Sequence, residues 1–243
     1  MTKNQRVSFL IWGMLFVGLM LTTACSDHND VPDGYTLKTS LTEVFIMPEH
    51  QENGTEANYT LECNQAGGII YLDVKGKFID SGNDPKLFNQ LLDRYNDHYP
   101  KPKLRPTVVF DPLGYVVLGE PITGVEVKSL DDFNASHQKG ADMGDMVYLE
   151  WWSYYDYIQG GYETSAMTGN GSYLEGGGTA KTCNYHGLIG DSSIYPIRMV
   201  DFTKFFCINL YFSQKPDAPG TYRFSVRFKF ESCEATTTMT VKF

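Results

Sequence analysis

The residues best suited to chemistry lie in the stretch VYLEWWSYYDYIQGGY, residues 147–162, which holds two tryptophans and five tyrosines. Treated as one strand over residues 147–158, it places successive side chains on opposite faces of a sheet. Its even-numbered face carries two carboxylates, which are costly to bury unpaired, so we expect that face to meet solvent. Rings stack on the apolar faces of sugars, and carboxylates accept hydrogen bonds from hydroxyl groups. The predicted ligand-binding residues are therefore Tyr148, Glu150, Trp152, Tyr154 and Asp156.

The same composition has a structural alternative. Aromatic residues are enriched in strands, and a helix or loop that covers the even-numbered face would make these rings part of the core. The odd-numbered side chains, led by Trp151, are expected to point into the core in either case.

Catalytic patterns are missing from the sequence. On one strand, Glu150 and Asp156 would lie roughly 20 Å apart, whereas a glycosidase needs its two carboxyl groups within about 5–9.5 Å. The chain has no G-x-S-x-G elbow, no H-E-x-x-H pair and no Gly-rich phosphate loop after a strand. We nominate no catalytic residue, and an enzyme ranks third among the function classes.

Acidic residues cluster before the aromatic strand, at Asp131, Asp132, Asn134, Asp142 and Asp145. Their oxygens are suitable calcium ligands, but their spacing does not match the EF-hand loop. The five histidines, at positions 28, 50, 98, 137 and 186, lie in polar surroundings that are typical of solvated side chains. We predict a solvated acidic loop, no metal site and no cofactor.

A glycine-rich segment follows the aromatic strand, with nine glycines between residues 160 and 193. Loops of this length are uncommon in compact domains unless they are functional or mobile. Tyr162, Tyr173, Tyr185 and His186 could reach over the end of the sheet from this segment. The favoured interpretation is a disordered insertion or a hairpin held at Cys183.

The N-terminus has the pattern of a secretory signal. Lys3 and Arg6 precede an apolar run, Val7–Leu21, and small residues stand before Cys25. That run of about fifteen residues is shorter than the roughly 20 that a membrane-spanning helix needs. Leu-Thr-Thr-Ala-Cys fits the lipobox, so the chain resembles a bacterial lipoprotein. The resemblance implies cleavage before Cys25 and diacylation of that cysteine, and two acyl chains suffice for stable anchoring.

An acidic pentad, Ser26-Asp27-His28-Asn29-Asp30, follows Cys25 directly. It is similar to the surface-export signal of Bacteroidota outer-membrane lipoproteins, and residues 124–159 also resemble a segment of uncharacterised members of that group. The resemblance implies a lipid anchor in the bacterial outer membrane and a protein that faces the cell exterior. It implies no activity, and the pentad also suits a flexible polar tether.

The charge balance restricts the partners. The chain has 29 acidic and 20 basic residues, a formal net charge of −9, and the signal peptide takes two of the basic residues with it. An acidic protein without basic runs is poorly suited to nucleic acid or to anionic surfaces. The expected partners are the membrane, through the lipid on Cys25, and a glycan or an envelope protein.

Four cysteines remain besides Cys25, namely Cys63, Cys183, Cys207 and Cys233. An even number in an oxidising compartment allows two disulfides, with three possible pairings. We predict at least one disulfide without assigning its partners. Cys207 lies in an apolar strand-like run, and a buried free thiol is the rival interpretation for it.

Strand patterns dominate the remaining sequence. In residues 222–231, apolar side chains at even positions alternate with polar ones at odd positions, which predicts a strand with one buried face. Further strands are predicted within residues 67–79, 107–110, 115–118, 122–130, 207–214 and 235–243, with a turn at 111–114. One helix is predicted after Asp84, a good N-cap, with Pro85 at its first position and its end at Pro100.

The stretch Asp217-Ala218-Pro219-Gly220-Thr221-Tyr222 resembles the turn into the penultimate strand of an immunoglobulin-like sandwich. This resemblance implies a tyrosine corner, in which the hydroxyl of Tyr222 bonds back to upstream backbone. Phe224 stands where antibody domains carry a cysteine, so the antibody disulfide pattern is absent. The resemblance covers about the last forty residues and implies a fold, not a function.

The sequence therefore predicts a mainly β fold, an immunoglobulin-like or related sandwich with one short helix, on an N-terminal lipid tether. Residues 1–24 are the predicted signal peptide, 25–34 the lipidated tether and 35–243 the ectodomain, whose length also allows two β subdomains that divide near residue 120. The predicted function is non-enzymatic binding of a glycan or another envelope component at the cell surface. The alternative is a structural or adhesive subunit that makes contacts through strand edges.

Overall fold

The computed structural model describes residues 40–50, 56–66, 69–98, 115–161, 173–174, 182–202 and 208–243. All of these residues belong to one compact unit. The predicted signal peptide, the tether and Cys25 lie outside the described residues, as do the strand predicted at 107–110 and the turn predicted at 111–114.

The helices are α1 (Pro85–Tyr95) and α2 (Tyr155–Gln159), with a 3-10 turn at Ser192–Ile194. The strands are β1 (Thr42–Met47), β2 (Glu49–His50), β3 (Ala57–Asn58), β4 (Thr60–Ala66), β5 (Ile69–Lys75), β6 (Lys77–Ile79), β7 (Tyr115–Leu118), β8 (Ile122–Ser129), β9 (Val147–Ser153), β10 (Tyr173–Leu174), β11 (Thr182–Leu188), β12 (Ile208–Phe212), β13 (Thr221–Phe230) and β14 (Glu234–Lys242). Within the described residues, no helix is long and apolar enough to cross a membrane.

Two antiparallel sheets form a sandwich. One sheet has the strand order β10-β11-β9-β12-β5-β4 and the other β14-β13-β8. Their facing side chains build the larger core, to which Leu72, Leu149 and Leu210 contribute from the first sheet and Val127 and Phe228 from the second. The prediction of a mainly β sandwich with one short helix is confirmed.

The C-terminal hairpin follows the predicted alternation. Along β13 the even positions from Phe224 to Phe230 are buried, while the odd positions are exposed or half-buried. The hydroxyl of Tyr222 donates to the carbonyl of Ala218 at 2.7 Å, which is the contact that a tyrosine corner requires. The wider immunoglobulin-like resemblance stays a prediction.

A third sheet, with the order β6-β1-β7, packs against α1 and forms a second core. Phe45 of β1 meets Phe88 of α1 with ring centroids 5.7 Å apart. The side chain of Asp84 caps α1 by accepting the amide of Leu87 at 3.1 Å, as predicted. The helix ends at Tyr95, before the predicted end at Pro100, because Asn96 adopts a left-handed conformation with φ of 54°.

The buried carboxylate of Asp97, just after α1, holds the start of the described chain. It accepts the backbone amides of Leu41 at 2.9 Å and Thr42 at 2.8 Å. The residues that lead into β1 are thereby fixed to the end of α1.

Candidate functional site

The aromatic strand is shorter than predicted. β9 ends at Ser153, whose hydroxyl donates to the carbonyl of Arg198 at 2.6 Å and accepts the amide of Tyr155 at 3.0 Å. The chain then turns into α2. The predicted alternation therefore holds from Val147 to Ser153 and is wrong beyond it.

Tyr154 is the clearest correction. Predicted to point outward, it is only 1% exposed, and its hydroxyl donates to the carboxylate of Asp201 at 2.8 Å. Because the backbone leaves the strand at this residue, parity no longer places its side chain. Tyr154 packs in the second core, beside α1.

The outer face of the six-stranded sheet carries three of the predicted ligand-binding residues, Tyr148, Glu150 and Trp152. Tyr148 is 36% exposed, and Trp152 is half-buried. The register sets Asn209 of β12 and His186 of β11 beside Glu150, and Tyr211 beside Tyr148.

The carboxylate of Glu150 links three strands across this face. It accepts hydrogen bonds from Asn184 at 2.5 Å, Asn209 at 3.1 Å and Tyr211 at 2.6 Å. Burial acts to raise the pKa of Glu150, but these three bonds outweigh it and hold that pKa below its ordinary value. A carboxylate with so many donors already bound holds the sheet together rather than standing ready for a ligand.

A separate feature is an aromatic cleft of about 360 Å³, which is lined in part by residues of β9 and α2. The side chains that characterise this aromatic cleft are Trp151, Tyr155, Asp156, Tyr185, Tyr195 and Arg198. They come from β9, α2, β11 and the segment that follows the 3-10 turn. The volume lies within the range of about 300–1,000 Å³ that is common for small-ligand pockets.

A stacked pair of rings forms one part of the cleft. Trp151 and Tyr185 lie with ring centroids 5.5 Å apart and planes 13° apart. The hydroxyl of Tyr185 donates to the carboxylate of Asp156 at 2.5 Å, which orients both side chains. A rigid ring pair next to a carboxylate gives an apolar surface with a hydrogen-bond acceptor beside it.

The segment from residue 193 to 198 forms the opposite wall. The hydroxyl of Tyr195 donates to the carbonyl of Ile189 and accepts the amide of Val125, both at 3.1 Å. Burial raises the pKa of Tyr195 to about 12, so its hydroxyl stays protonated at neutral pH. The wall approaches β11 closely at Gly187, where an added Cβ would stand 2.5 Å from Cγ2 of Ile194.

Arg198 completes the cleft. Its guanidinium carbon lies 5.0 Å from the ring centroid of Tyr155, in a cation–π contact. Asp156 is the one carboxylate among the described residues that line the cleft. The cleft can bind a ligand through rings, one acceptor and one cation, whereas paired carboxylates for glycoside hydrolysis are not assembled there.

The sequence thus predicted the region of the cleft but few of the residues that line it. Of the predicted ligand-binding residues, only Asp156 lines the cleft. Tyr185 and His186, which were expected to reach over the sheet end, do line it. Trp151 also borders it while belonging to the larger core, as predicted, with 7% of its surface exposed. The residues that were missed are Tyr155, Tyr195 and Arg198, because their placement follows from the turn at Ser153 and from the path of the segment after the 3-10 turn. Tyr162 and the side chain of Tyr173 lie outside the described residues.

Two of the four disulfide candidates differ from the prediction, since Cys63 and Cys233 carry free thiols. Burial raises the pKa of Cys63 to about 11 and that of Cys233 above its ordinary value, which makes both thiols poorly reactive. Cys207 and the side chain of Cys183 lie outside the described residues, so the prediction of at least one disulfide stays a prediction.

The acidic loop has structural partners. Asp131 forms an ion pair with Arg223 at 2.7 Å, and Asp132 accepts the amide of Lys139 at 2.9 Å. His137, expected to be solvated, is 7% exposed and sits between Asn134 and Asp145. Over the described ranges, no three His, Cys, Asp or Glu side chains are grouped to hold a metal ion.

Comparison with known proteins adds nothing to the geometry of the aromatic cleft. The chain matches no protein-family model, no curated protein and no solved structure.

Proposed function

We propose that this chain is a lipid-anchored, non-enzymatic protein of the bacterial cell surface that binds a glycan, or another envelope component, in the aromatic cleft. The single observation that carries the proposal is the joint placement of the Trp151–Tyr185 ring stack with Asp156 and Arg198 around one cavity. The lipobox at Cys25 supports the location.

The cleft suits a sugar for two reasons. The flat faces of its rings offer an apolar surface that matches the C–H face of a pyranose, while Asp156 and Arg198 offer an acceptor and donors for hydroxyl groups. Its volume of about 360 Å³ admits a short part of a glycan rather than a long chain. We therefore expect recognition of an end or a branch.

The decisive experiment compares two tyrosines on the same stretch. The processed protein is purified from its producing cell and screened on a glycan array. Hits are then titrated by calorimetry. Tyr155→Ala removes a ring that lines the cleft, and we expect about tenfold weaker binding. Tyr148→Ala removes an equally large ring on the outer face and should leave the affinity unchanged.

The opposite pattern of affinities would indicate a different binding site. If Tyr148→Ala abolishes binding and Tyr155→Ala does not, the ligand occupies the outer face. Silence across a broad array would count against a glycan ligand altogether.

The alternative of a structural or adhesive subunit has one observation in its favour. Ile69, Tyr148 and Tyr211 are exposed large apolar side chains on the outer face, at neighbouring positions of β5, β9 and β12. Adjacent exposed apolar side chains are characteristic of protein contact surfaces. Concentration-dependent oligomers or filaments of the purified protein, lost in Tyr211→Ser, would favour this function over glycan capture.

A further inference from the structure

Arg198 differs from the other described arginines. Arg94, Arg223 and Arg227 each form an ion pair with a carboxylate, at Glu231, Asp131 and Glu126 respectively. Within the part of the chain that the structure describes, the guanidinium of Arg198 forms no ion pair and donates no hydrogen bond; its contact there is the ring of Tyr155. Its N–H donors are therefore available, in a cleft.

The backbone of Arg198 is held firmly. The preceding residue, Ile197, exchanges two hydrogen bonds with Ile122 of β8, at 2.8 and 2.9 Å. The carbonyl of Arg198 itself accepts the hydroxyl of Ser153. Two residues after Arg198, Val200 pairs with Ser153, and the carbonyl of Val200 accepts the amide of Leu118. A guanidinium on a fixed backbone, with its carbon 5.0 Å from a ring centroid, loses little conformational freedom when it binds a ligand.

An arginine without an ion pair among the described residues, such as Arg198, is unexpected in a chain with this charge balance. The protein carries 29 acidic residues against 20 basic ones, so carboxylates are plentiful as partners. Asp156 lines the same cleft; only its Oδ2 accepts the hydroxyl of Tyr185 among the described residues, and it forms no ion pair with Arg198. The two charges are thus available to different parts of a ligand.

We infer that the cleft takes an acidic glycan, whose carboxylate or sulfate group is bound by Arg198 while Asp156 accepts a hydroxyl group of the same ligand. This inference rests on the proposed function and names the class of glycan. The planar guanidinium matches the two oxygens of a carboxylate or a sulfate ester in a way that an ammonium group does not.

The test uses an array that carries neutral, carboxylated and sulfated glycans, which also distinguishes the two acidic groups. Each hit is then titrated beside its uncharged counterpart, the methyl ester or the desulfated form. We expect the acidic form to bind at least tenfold more tightly, since hydrogen bonds to charged groups are the stronger ones.

Three variants separate charge from geometry. Arg198→Gln should bind the acidic and uncharged forms about equally, and Arg198→Lys should retain part of the preference because it keeps the charge. Arg223→Gln, on the other sheet, changes the net charge of the protein by the same amount and should retain the full preference. Thermal unfolding of each variant verifies its fold.

The outcomes distinguish the two claims. Hits that bind their uncharged counterparts equally well, or an Arg198→Gln variant that keeps the acidic preference, overturn this inference and leave the glycan-binding function standing. A silent array overturns both.

Discussion

One hydroxyl group decides which side chains reach the cleft. The Ser153 side chain bonds both Arg198 and Tyr155, and the strand stops there. Tyr154 then turns into the second core, and Tyr155 and Asp156 turn into the cleft. The position of a cleft residue thus depends on a partner 45 residues away in the chain from Ser153.

Tyr154→Phe should destabilise the protein. The substitution removes the hydroxyl that donates to Asp201, a fully buried carboxylate. Loss of one donor to a buried charged group costs about 1–3 kcal/mol of the free energy of unfolding, measured by urea denaturation. Tyr222→Phe is the control, because its hydrogen bond to Ala218 is exposed, and it should cost less. An equal cost for the two variants would contradict the role given to Tyr154.

The residues before the turn were predictable and those after it were not. From Val147 to Ser153 the two-residue period of a strand correctly separates buried from outward side chains. Nothing local marks Ser153 as the last strand residue, since Tyr and Asp continue the same composition. The missed members of the cleft become neighbours only through the tertiary fold; they are Tyr155, Tyr195 and Arg198.

Among the elements, the second sheet carries a row of opposite charges on its solvent side. Glu126 of β8 bonds Arg227 and Lys229 of β13, and Arg227 also reaches Glu234 of β14. Hydrogen bonds from Arg227 and Lys229 hold the pKa of Glu126 at about 2, below its ordinary value of 4.5. The ionised form of Glu126 is therefore stabilised in the folded state relative to the unfolded state.

This difference predicts a pH dependence. A carboxyl group with a lowered pKa in the folded state stabilises fully above its ordinary pKa and loses that effect as the pH falls toward the folded value. The free energy of unfolding should fall between about pH 4.5 and 2, and Glu126→Gln should reduce that fall. The variant should be less stable than the wild type at pH 7 and equal to it near pH 2. A gap that persists at pH 2 would indicate a packing defect instead.

The close approach at Gly187 gives a prediction for the cleft wall. Gly187→Ala places a methyl group 2.5 Å from Cγ2 of the branched Ile194, so the 3-10 turn must shift. We expect a loss of about 1–3 kcal/mol in the free energy of unfolding and weaker ligand binding. Gly124→Ala is the matched control on β8, where the nearest atom would be Cδ of Lys229 at 3.6 Å. Unchanged binding in Gly187→Ala would show that this wall takes no part.

Elements that are marked by local sequence signals could be predicted, whereas elements that depend on pairing with a distant strand could not. α1 and β13 were predicted because a cap, a proline and an unbroken alternation are local signals. β11 lies in the segment predicted to be a disordered insertion or a hairpin held at Cys183, since TCNYHGL contains Asn and Gly, which are poor strand formers, and the backbone there does pair with β10 at Cys183. It is a strand because β9 pairs with it over six residues and Glu150 binds Asn184.

At the scale of the whole molecule, the anchor can be tested separately from the cleft. Cys25→Ser removes the proposed lipidation site and with it both acyl chains, so the cleaved, lipid-anchored form should disappear from the outer-membrane fraction. The unmodified precursor should accumulate, as mass spectrometry would show, while glycan binding by the purified variant stays unchanged. If processing and membrane attachment are the same in the variant, the lipobox interpretation is wrong.

The place of β1 in its sheet has a mechanical consequence. On our proposal, the chain before residue 40 leads to the membrane, so tension on a captured glycan enters the fold at Leu41 and Thr42, where Asp97 holds both amides. β1 follows, flanked by β6 on one side and β7 on the other. Force along a strand that is bonded on both sides loads its hydrogen bonds in shear, so they resist together instead of opening one by one. Under flow or drag, the anchored end of the fold should therefore hold until several hydrogen bonds of β1 break at once.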